Sequence, residues 1–335
     1  MASRSIETRG EVLGASASPT PLRTAFITGA SSGIGLALTK HLISHPTTPY
    51  RVLGADVNPP KEDLGPRVHF RRTDVTSWAD QSAAFDEAFN LDGAQRLDFF
   101  AGNAGIADVE DLVQLYDPTE ASAPRQPNMK TLDVDLNAVI SGIRLFTWWH
   151  LKGKKDRGIS NDAEIGRMVV TSSSAGIYPF PSCPIYACAK HGLVGLVRSL
   201  APRLVQHGVT LNALLPAFVP TGLAPPAVWD VLEQQYVTPM TTIIRAYEAL
   251  LQDLDPAKER EGGNRVIQGD LDPLAEDQPE ESATIVSSPT TGQTVEVSAH
   301  RLHFRQHATW ADPEQTWWGG EGGRNVWKSI YPKTV

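Results

Sequence analysis

Short apolar stretches alternate with amphipathic ones between residues 23 and 222, and this alternation restricts the folds open to the chain. Strand-like runs such as RVLGAD (51–56) and MVVTSS (168–173) are each followed, further along the chain, by a stretch with helical spacing. The pattern is typical of βαβ units, in which right-handed helical crossovers join parallel strands. We therefore predict an α/β fold with a doubly wound parallel sheet.

The flanking segments have a different composition. Residues 1–22, rich in Ser, Thr, Ala and Pro, predict a flexible lead-in to a single catalytic domain over 23–304. Residues 253–290 are mostly acidic and punctuated by Pro and Gly, which predicts a surface-loop insertion. The alternating run TVEVSAHRLHF (294–304) predicts the last strand of the sheet. The C-terminal extension, 305–335, is expected to pack because it holds four tryptophans: Trp310, Trp317, Trp318 and Trp327.

Charge and composition exclude several classes of function. The chain has 335 residues, 41% of them hydrophobic, and a net charge of −8, so no overall field attracts nucleic acid or anionic lipid. No apolar run approaches the roughly 18 residues needed to span a bilayer. Two cysteines cannot form a disulfide framework and indicate a reducing compartment. We predict a soluble cytoplasmic protein that binds neither nucleic acid nor membrane.

A glycine-rich turn, TGASSGIG (28–35), joins the first strand to its helix. Glycines there let the backbone turn tightly and approach a pyrophosphate, which the helix N-terminus attracts. The motif indicates a dinucleotide site in a Rossmann fold, although a plain tight strand-to-helix turn is the simpler alternative. The predicted contacts in this turn are Gly29, Ser31, Ser32, Gly33, Ile34 and Gly35.

Asp56 follows the turn by about 20 residues, at the end of the second strand, as the dinucleotide fingerprint requires. Its carboxylate would accept hydrogen bonds from the ribose hydroxyls and repel a 2′-phosphate. Ser32 occupies a position where a basic residue would favour NADP. Both features predict NAD, with NADP less favoured. Alternatively, Asp56 forms a turn before Pro59 and Pro60.

The spacing Thr-Gly-x-x-x-Gly-x-Gly, together with Tyr186 and Lys190, resembles the short-chain dehydrogenase/reductase family over residues 23–222 and faintly over 292–304. Within it, YACAKHGLVGLVRSL (186–200) and VTPMTTIIRAYEALL (237–251) resemble NAD-dependent 15-hydroxyprostaglandin dehydrogenase-like members. Ala217 departs from the family's usual glycine after Pro216. The resemblance implies further cofactor contacts at Asp74, Val75, Asn103, Ala104, Gly105, Tyr186, Lys190, Pro216, Val219 and Thr221.

The resemblance also implies four residues that carry the chemistry: Asn137, Ser173, Tyr186 and Lys190. Tyr186 can take the hydroxyl proton of an alcohol and return it in the reverse direction. Lys190, four residues later on the same helix face, brings an ammonium group that favours the phenolate. Ser173, 13 residues before Tyr186, would bind the substrate oxygen, with Ser172 or Ser174 as alternatives. The main chain of Asn137 would hold a water that passes protons to the lysine, unless its side chain merely bonds a neighbouring backbone group.

The expected function is that of an oxidoreductase moving a hydride between NAD(H) and a secondary alcohol or ketone. Pro225, Pro226, Val228 and Trp229 lie where the family has a substrate lid, which predicts a small hydrophobic substrate. The resemblance implies a homodimer or homotetramer formed through 129–150 and 185–206. No metal site is expected, because His300 and His303 lie on opposite faces of an extended strand. The alternatives are a non-redox scaffold or cyclase of the same fold, and an NADP-dependent ketoreductase.

Overall fold

The computed structural model describes residues 22–112, 125–160, 164–251, 291–308, 310–319 and 325–326. Their strands form one eight-stranded sheet in the order β3-β2-β1-β4-β5-β6-β7-β8. All neighbouring pairs are parallel except β7 and β8. The strands are β1 Arg23–Thr28, β2 Tyr50–Asp56, β3 Val68–Arg72, β4 Phe99–Gly102, β5 Gly166–Thr171, β6 Val209–Pro216, β7 Thr294–Ser298 and β8 Arg301–Phe304. The predicted doubly wound sheet is confirmed.

Helices cover both faces of this sheet. They are α1 Gly33–Ser44, α2 Trp78–Asn90, α3 Lys130–Leu132, α4 Ala138–Asp156, α5 Pro184–Leu204, α6 Pro226–Val231, α7 Met240–Leu251 and α8 Pro313–Gly319. A single π-helical turn, Asp133–Asn137, joins α3 to α4. One apolar cluster lies between the sheet and α2, α4 and α5, and a second lies between the sheet and α1 and α7.

Burial on both faces explains why the central strands have continuous apolar sequences. In β1 the side chain of Phe26 joins the first cluster, whereas Ala25 and Ile27 join the second, and all three are 0% exposed. Successive side chains of a strand point to opposite faces, so a strand covered on both sides has no polar face. This is the arrangement expected of a parallel sheet between two helical layers.

The strand order reverses between β1 and β4, which are neighbours in the sheet although β2 and β3 lie between them in sequence. Chain segments leaving the carboxyl ends of these two strands diverge to opposite faces, and a crevice opens where they part. The glycine turn follows β1, and Asn103 follows β4. The fold therefore brings these two predicted segments to the same edge of the sheet.

The C-terminal part differs from expectation in two ways. Residues 294–304 form an antiparallel hairpin of β7 and β8, with Ala299 at a φ of 47° in its turn, so the prediction of one continuous strand is wrong. The tail does not bury its tryptophans as expected: Trp310, Trp317 and Trp318 are 46–51% exposed.

Three predictions concern residues outside the described ranges. The lead-in at 1–22 lies outside them except for its last residue, the insertion at 253–290 lies wholly outside them, and so does Trp327. Among the helices that the structure describes, none is both long enough and apolar enough to cross a bilayer.

Candidate active site

The turn after β1 is packed so closely that its glycines cannot be replaced without movement. Gly29 has a φ of 67°, and a Cβ there would lie 3.0 Å from Cα of Ala104. A Cβ at Gly35 would lie 2.2 Å from the carbonyl oxygen of Gly29. Asn103 holds the turn from the other side, because its Nδ2 donates to the carbonyl oxygen of Thr28 at 3.2 Å. The two segments at the switch point are thus in direct contact.

The N-terminus of α1 is left open toward this crevice. Ser32 stands at the N-cap in an extended conformation, but its side chain makes no capping hydrogen bond in the described structure, and the first turn carries no acidic residue. In α2, by contrast, Oγ of Ser77 accepts a hydrogen bond from the backbone N–H of Asp80 at 3.2 Å. Uncapped N–H groups and the helix dipole favour an anion. The turn therefore fits the pyrophosphate of a dinucleotide.

Asp56 lies beside the same turn. Its Oδ2 accepts a hydrogen bond from the backbone N–H of Ser31 at 3.1 Å, and its Oδ1 accepts one from the N–H of Asn58 at 3.1 Å. Ser31 in turn donates its hydroxyl to the carbonyl oxygen of Asn58 at 2.6 Å. These bonds fix the carboxylate at the end of β2, beside the turn that leads into the uncapped N-terminus of α1. The position fits recognition of a ribose next to the pyrophosphate.

Asp74 and Val75, two of the predicted cofactor contacts, follow β3. Two hydrogen bonds from Thr76, one from its hydroxyl and one from its backbone N–H, hold the pKa of Asp74 below its usual range. Val75 lines a small cavity together with Thr28 and Ala104. The carbonyl oxygen of Val75 accepts a hydrogen bond at 2.5 Å from the buried Gln81, a supporting residue that the sequence did not indicate.

The segment after β6 returns toward the glycine turn. Pro216 ends the strand, and the next residue, Ala217, donates its backbone N–H to the carbonyl oxygen of Val297 at 2.9 Å. Val219 is buried in the core on the α1 side of the sheet. Thr221 reaches Gly33, where an added Cβ would lie 3.1 Å from the threonine Cγ2. The structure thus brings Thr221 next to the predicted pyrophosphate site.

Tyr186 and Lys190 occupy one face of α5 and are 8% and 3% exposed. Nζ of Lys190 lies 5.2 Å from the centroid of the Tyr186 ring and donates to the carbonyl oxygen of Thr171 at 2.9 Å. A Cβ at Gly105 would lie 3.5 Å from this Nζ. The lysine is therefore next to the segment that follows β4, and this segment in turn contacts the glycine turn.

The serines at the end of β5 differ in what they bind. Ser172 is 2% exposed and donates its hydroxyl to the carbonyl oxygen of Lys190 at 2.9 Å. Ser173 is half-buried, and its Oγ accepts a hydrogen bond from the N–H of Ala175 at 3.1 Å. This bond orients the oxygen of Ser173 but leaves its own O–H to donate. The geometry therefore favours Ser173 over Ser172 as the hydroxyl for a substrate.

The role predicted for the main chain of Asn137 stays a prediction, and its side chain contacts Asp133 and not Lys190 in the described structure. Asn137 is exposed, and its Nδ2 donates to Oδ1 of Asp133 at 2.9 Å. The residue of this helical turn that reaches the site is Asp135, which is 0% exposed with Oδ2 3.0 Å from Nζ of Lys190. Its other oxygen, Oδ1, accepts the backbone N–H of Ile106 at 2.8 Å. Burial raises the pKa of the Asp135 carboxyl, and the lysine ammonium opposes that effect.

Two residues that the sequence reasoning missed hold the site together. Asp135 could have been found, because it falls among the buried positions Val134, Ala138 and Val139, where a charged side chain needs a partner. Asp108 accepts hydrogen bonds from the first N–H groups of α5, at 3.0 Å from Ile185 and 2.6 Å from Tyr186. No local pattern indicates Asp108, because its partners are more than 70 residues away.

Potential metal ligands meet elsewhere in the described structure. His41, His45 and Glu248 offer ligand atoms within 4.8 Å of one another. Nε2 of His41 lies 3.3 Å from Oε1 of Glu248, and Nδ1 of His45 accepts the backbone N–H of Thr48. These contacts join the C-terminal end of α1 to α7. They lie at the end of α1 opposite the glycine turn and take no part in the site.

Comparison with known proteins identifies relatives of the chain. A family model described as short chain dehydrogenase matches residues 23–229. The short-chain dehydrogenase/reductase ATR7 of Stachybotrys chlorohalonatus is 33% identical over 202 residues, 60% of this chain and 57% of that protein. The chain therefore spans little more than half the length of that relative.

Two further relatives are matched over more of their length. The short-chain dehydrogenase/reductase prx7 of Penicillium rubens is 29% identical over 74% of this chain and 80% of its own. The 5'-hydroxyaverantin dehydrogenase of Dothistroma septosporum is 31% identical over 61% of this chain and 69% of its own.

Solved structures share the fold. A 3-ketoacyl-(acyl-carrier-protein) reductase from Brucella melitensis, solved with NADH, gives a TM-score of 0.55 at 20% identity over 69% of this chain and 90% of that one. A 4-hydroxyisoleucine dehydrogenase, also solved with NADH, gives 0.53 at 21% identity over 69% of this chain and 91% of that one. With the family model matching more than half of the residues, this chain belongs to the short-chain dehydrogenase family.

Proposed function

We propose that the chain transfers a hydride between NAD(H) and a secondary alcohol or ketone, with Tyr186 as the acid/base. The observation that carries the proposal is the buried pair of Tyr186 and Lys190, whose ammonium lies next to Gly105 at the switch point. A phenol beside an ammonium group, at the edge of the sheet where a dinucleotide fits, has the means to exchange a proton with a substrate oxygen.

Each residue has a distinct role in this reaction. Bound NAD(H) supplies or accepts the hydride. Tyr186 takes the hydroxyl proton during oxidation and returns it during reduction. Ser173 donates its hydroxyl to the substrate oxygen and holds that oxygen near the phenol. Lys190 donates one N–H to the carbonyl oxygen of Thr171, and this bond fixes its ammonium beside the tyrosine ring. A further N–H of the ammonium is left to donate to a ribose hydroxyl.

The surroundings of the site favour a small hydrophobic substrate. Along the segment that follows β6, Phe218, Leu223 and Val231 are 44%, 42% and 82% exposed, and Trp229 is half-buried. Apolar side chains in the segment predicted to form the substrate lid suit an apolar alcohol or ketone. Two relatives are named 5'-hydroxyaverantin dehydrogenase, after a hydroxylated compound. These names support an alcohol as the substrate. Closer kinship to 15-hydroxyprostaglandin dehydrogenase-like members stays a prediction.

Thermal unfolding with each cofactor tests the choice of NAD. A ligand at 100 times its dissociation constant adds about 2.7 kcal/mol to the free energy of unfolding. We expect NAD⁺ to raise Tm by more than NADP⁺ at equal concentration, because Asp56 would repel a 2′-phosphate. D56S should reduce that preference, whereas D63S, which changes an exposed aspartate in the following loop, should keep it. A larger shift with NADP⁺ would overturn the assignment of NAD and favour the NADP-dependent ketoreductase.

The Tyr186→Phe variant tests the chemistry itself. We expect kcat to fall by about 10²–10⁴-fold, the usual contribution of a general acid or base, while the NAD⁺-induced rise in Tm persists. Activity equal to that of the parent in its native role would instead favour a cyclase or a non-redox scaffold. The predicted cytoplasmic location and the predicted homo-oligomer are separate from this test and remain predictions.

A further inference from the structure

An ion pair is buried beside the tyrosine of the proposed site. The carboxylate of Asp135 is held by Ile106 on one oxygen and faces Nζ of Lys190 at 3.0 Å with the other. Both side chains are at most 4% exposed, so water screens neither of them. The π-helical turn 133–137 presents the carboxylate from one side, and α5 presents the ammonium from the other. The pair is therefore a fixed part of the site.

Other ionisable groups also face this pair. Asp108 raises the pKa of Asp135 by charge repulsion, although its carboxylate is bound to the first N–H groups of α5. From α7, Tyr247 contacts the hydroxyl of Thr171 at 3.2 Å, and burial raises its pKa to about 12, so it stays neutral near physiological pH. Lys190 is thus paired with the carboxylate of Asp135, and the carboxylate of Asp108 lies near enough to Asp135 to repel it.

A positive charge next to a phenol favours the phenolate, and a negative charge disfavours it. With a neutral side chain at 135, Lys190 would act on Tyr186 with its full charge. With the carboxylate there, its negative charge cancels part of the attraction that the ammonium exerts on the phenol. Burial strengthens this cancellation, because charges in a low-dielectric interior interact more strongly than charges in water.

We infer that Asp135 is a positioning residue that offsets the charge of Lys190 and keeps Tyr186 a protonated phenol up to higher pH, so that the site favours proton donation to a ketone. In that direction the carbonyl carbon receives a hydride from NADH, which is oxidised to NAD⁺. The carbonyl oxygen takes the proton of Tyr186, and a proton from water restores the phenol. The inference rests on the proposed function for its catalytic meaning, but the ionisation that it predicts needs neither substrate nor cofactor.

Tyrosinate absorbance near 295 nm, followed as a function of pH in the cofactor-free full chain, measures this ionisation directly. Subtracting the titration of a variant that also carries Y186F isolates the contribution of Tyr186. We expect its midpoint in D135N to lie about one pH unit or more below that of the parent, because the lysine charge is no longer offset. An unchanged or higher midpoint would overturn the inference.

Two controls separate this effect from general perturbation. D133N changes an exposed carboxylate of the same helical turn and should leave the midpoint where it is. K190Q removes the ammonium and leaves the carboxylate of Asp135, so the midpoint of Tyr186 should lie above that of the parent, in the direction opposite to the shift in D135N. An unchanged or lower midpoint in K190Q would mean that the charge of Lys190 does not act on Tyr186, and would overturn the inference.

Circular dichroism checks that D135N folds, and D135S, which admits water beside the lysine, replaces it if it does not. In the assayed enzyme the loss of ketone reduction at high pH should begin at lower pH in D135N than in the parent. The predicted titration shift without any activity would count against the proposed function alone. Activity without the titration shift would count against the role of Asp135 alone.

Discussion

At the scale of single residues, Ser172 and Ser173 are neighbours in the chain but have different surroundings. The hydroxyl of Ser172 is buried and bonded to the main chain of Lys190, and a Cβ at Gly176 would lie 2.6 Å from it. Ser173 is half-buried, and its oxygen is oriented by the N–H of Ala175. The first hydroxyl supports the position of α5, whereas the second is available to a substrate.

Replacing Ser172 by alanine should therefore affect mainly stability, whereas replacing Ser173 should affect mainly catalysis. We expect S172A to lower the free energy of unfolding by about 1–2 kcal/mol, because the carbonyl oxygen of Lys190 loses its buried partner. S173A should lower the free energy of unfolding by less than S172A, because Ser173 is half-buried and its oxygen caps only a short turn. It should lower kcat/KM by about 10²-fold, as expected when a donor to a reacting oxygen is removed. Denaturant unfolding and steady-state kinetics measure both quantities. If S172A instead lowers kcat/KM and S173A lowers the free energy of unfolding, Ser172 is the substrate hydroxyl.

The helical turn that contains Asp133, Asp135 and Asn137 marks the limit of prediction at this scale. Motif resemblance indicated Asn137, whose predicted main-chain role stays a prediction, whereas the side chain of this turn that faces Lys190 belongs to Asp135. Helical spacing from the buried positions Ala138 and Val139 does place Asp135 on the inner side of this turn. Its pairing with Lys190 could not be predicted, because the lysine lies on α5, in a distant part of the chain. The glycines and Tyr186 were predictable, because their roles depend on local backbone geometry and on a four-residue spacing.

At the scale of elements, the start of α5 depends on a residue from a distant loop. Asp108 accepts the N–H groups of Ile185 and Tyr186, and a negative charge at a helix N-terminus is also favoured by the helix dipole. The cap acts directly on the backbone of the tyrosine proposed to exchange the proton. Stability and chemistry are therefore expected to be coupled at this position.

The D108A variant tests this coupling, with S77A as a matched control at the N-cap of α2. Loss of either cap should lower the free energy of unfolding by about 0.5–2 kcal/mol. Only D108A should also reduce kcat, because only its cap holds the backbone of Tyr186. Thermal unfolding and kinetics on the same samples give the comparison. Equal kcat in both variants would show that Asp108 has only a structural role.

The hairpin of β7 and β8 shows why an element can escape prediction from sequence. Its turn contains Ala299 with a φ of 47°, a conformation usually taken by Gly, Asn or Asp. The backbone N–H of Ala299 donates to the hydroxyl of Thr238 at 3.0 Å, which holds the turn from another part of the chain. Because this support is tertiary, the alternating sequence 294–304 gave no sign of a break.

At the scale of the whole molecule, the alternation of strands and helices predicted the doubly wound parallel sheet but did not predict the outer surface. Tryptophan content predicted a packed tail, yet the described tail tryptophans are about half exposed. Composition indicates that a large ring needs a partner and cannot say whether that partner belongs to the same chain. The helix α4 presents a similar case, since Ile140, Arg144 and Trp148 form an exposed stripe along it and Trp148 is 56% exposed.

The predicted homo-oligomer would cover this stripe. A two-fold contact brings the same surface of two copies together, so a tryptophan near its centre meets its own counterpart or a close neighbour. We expect W148E to lower the mass measured by sedimentation equilibrium to that of a single chain, because the contact would bury unpaired carboxylates. W78E changes a tryptophan of similar exposure on α2 and should leave the mass of the oligomer unchanged. If W148E keeps the parent mass, or if the parent is itself a monomer, α4 is not the surface that joins the copies.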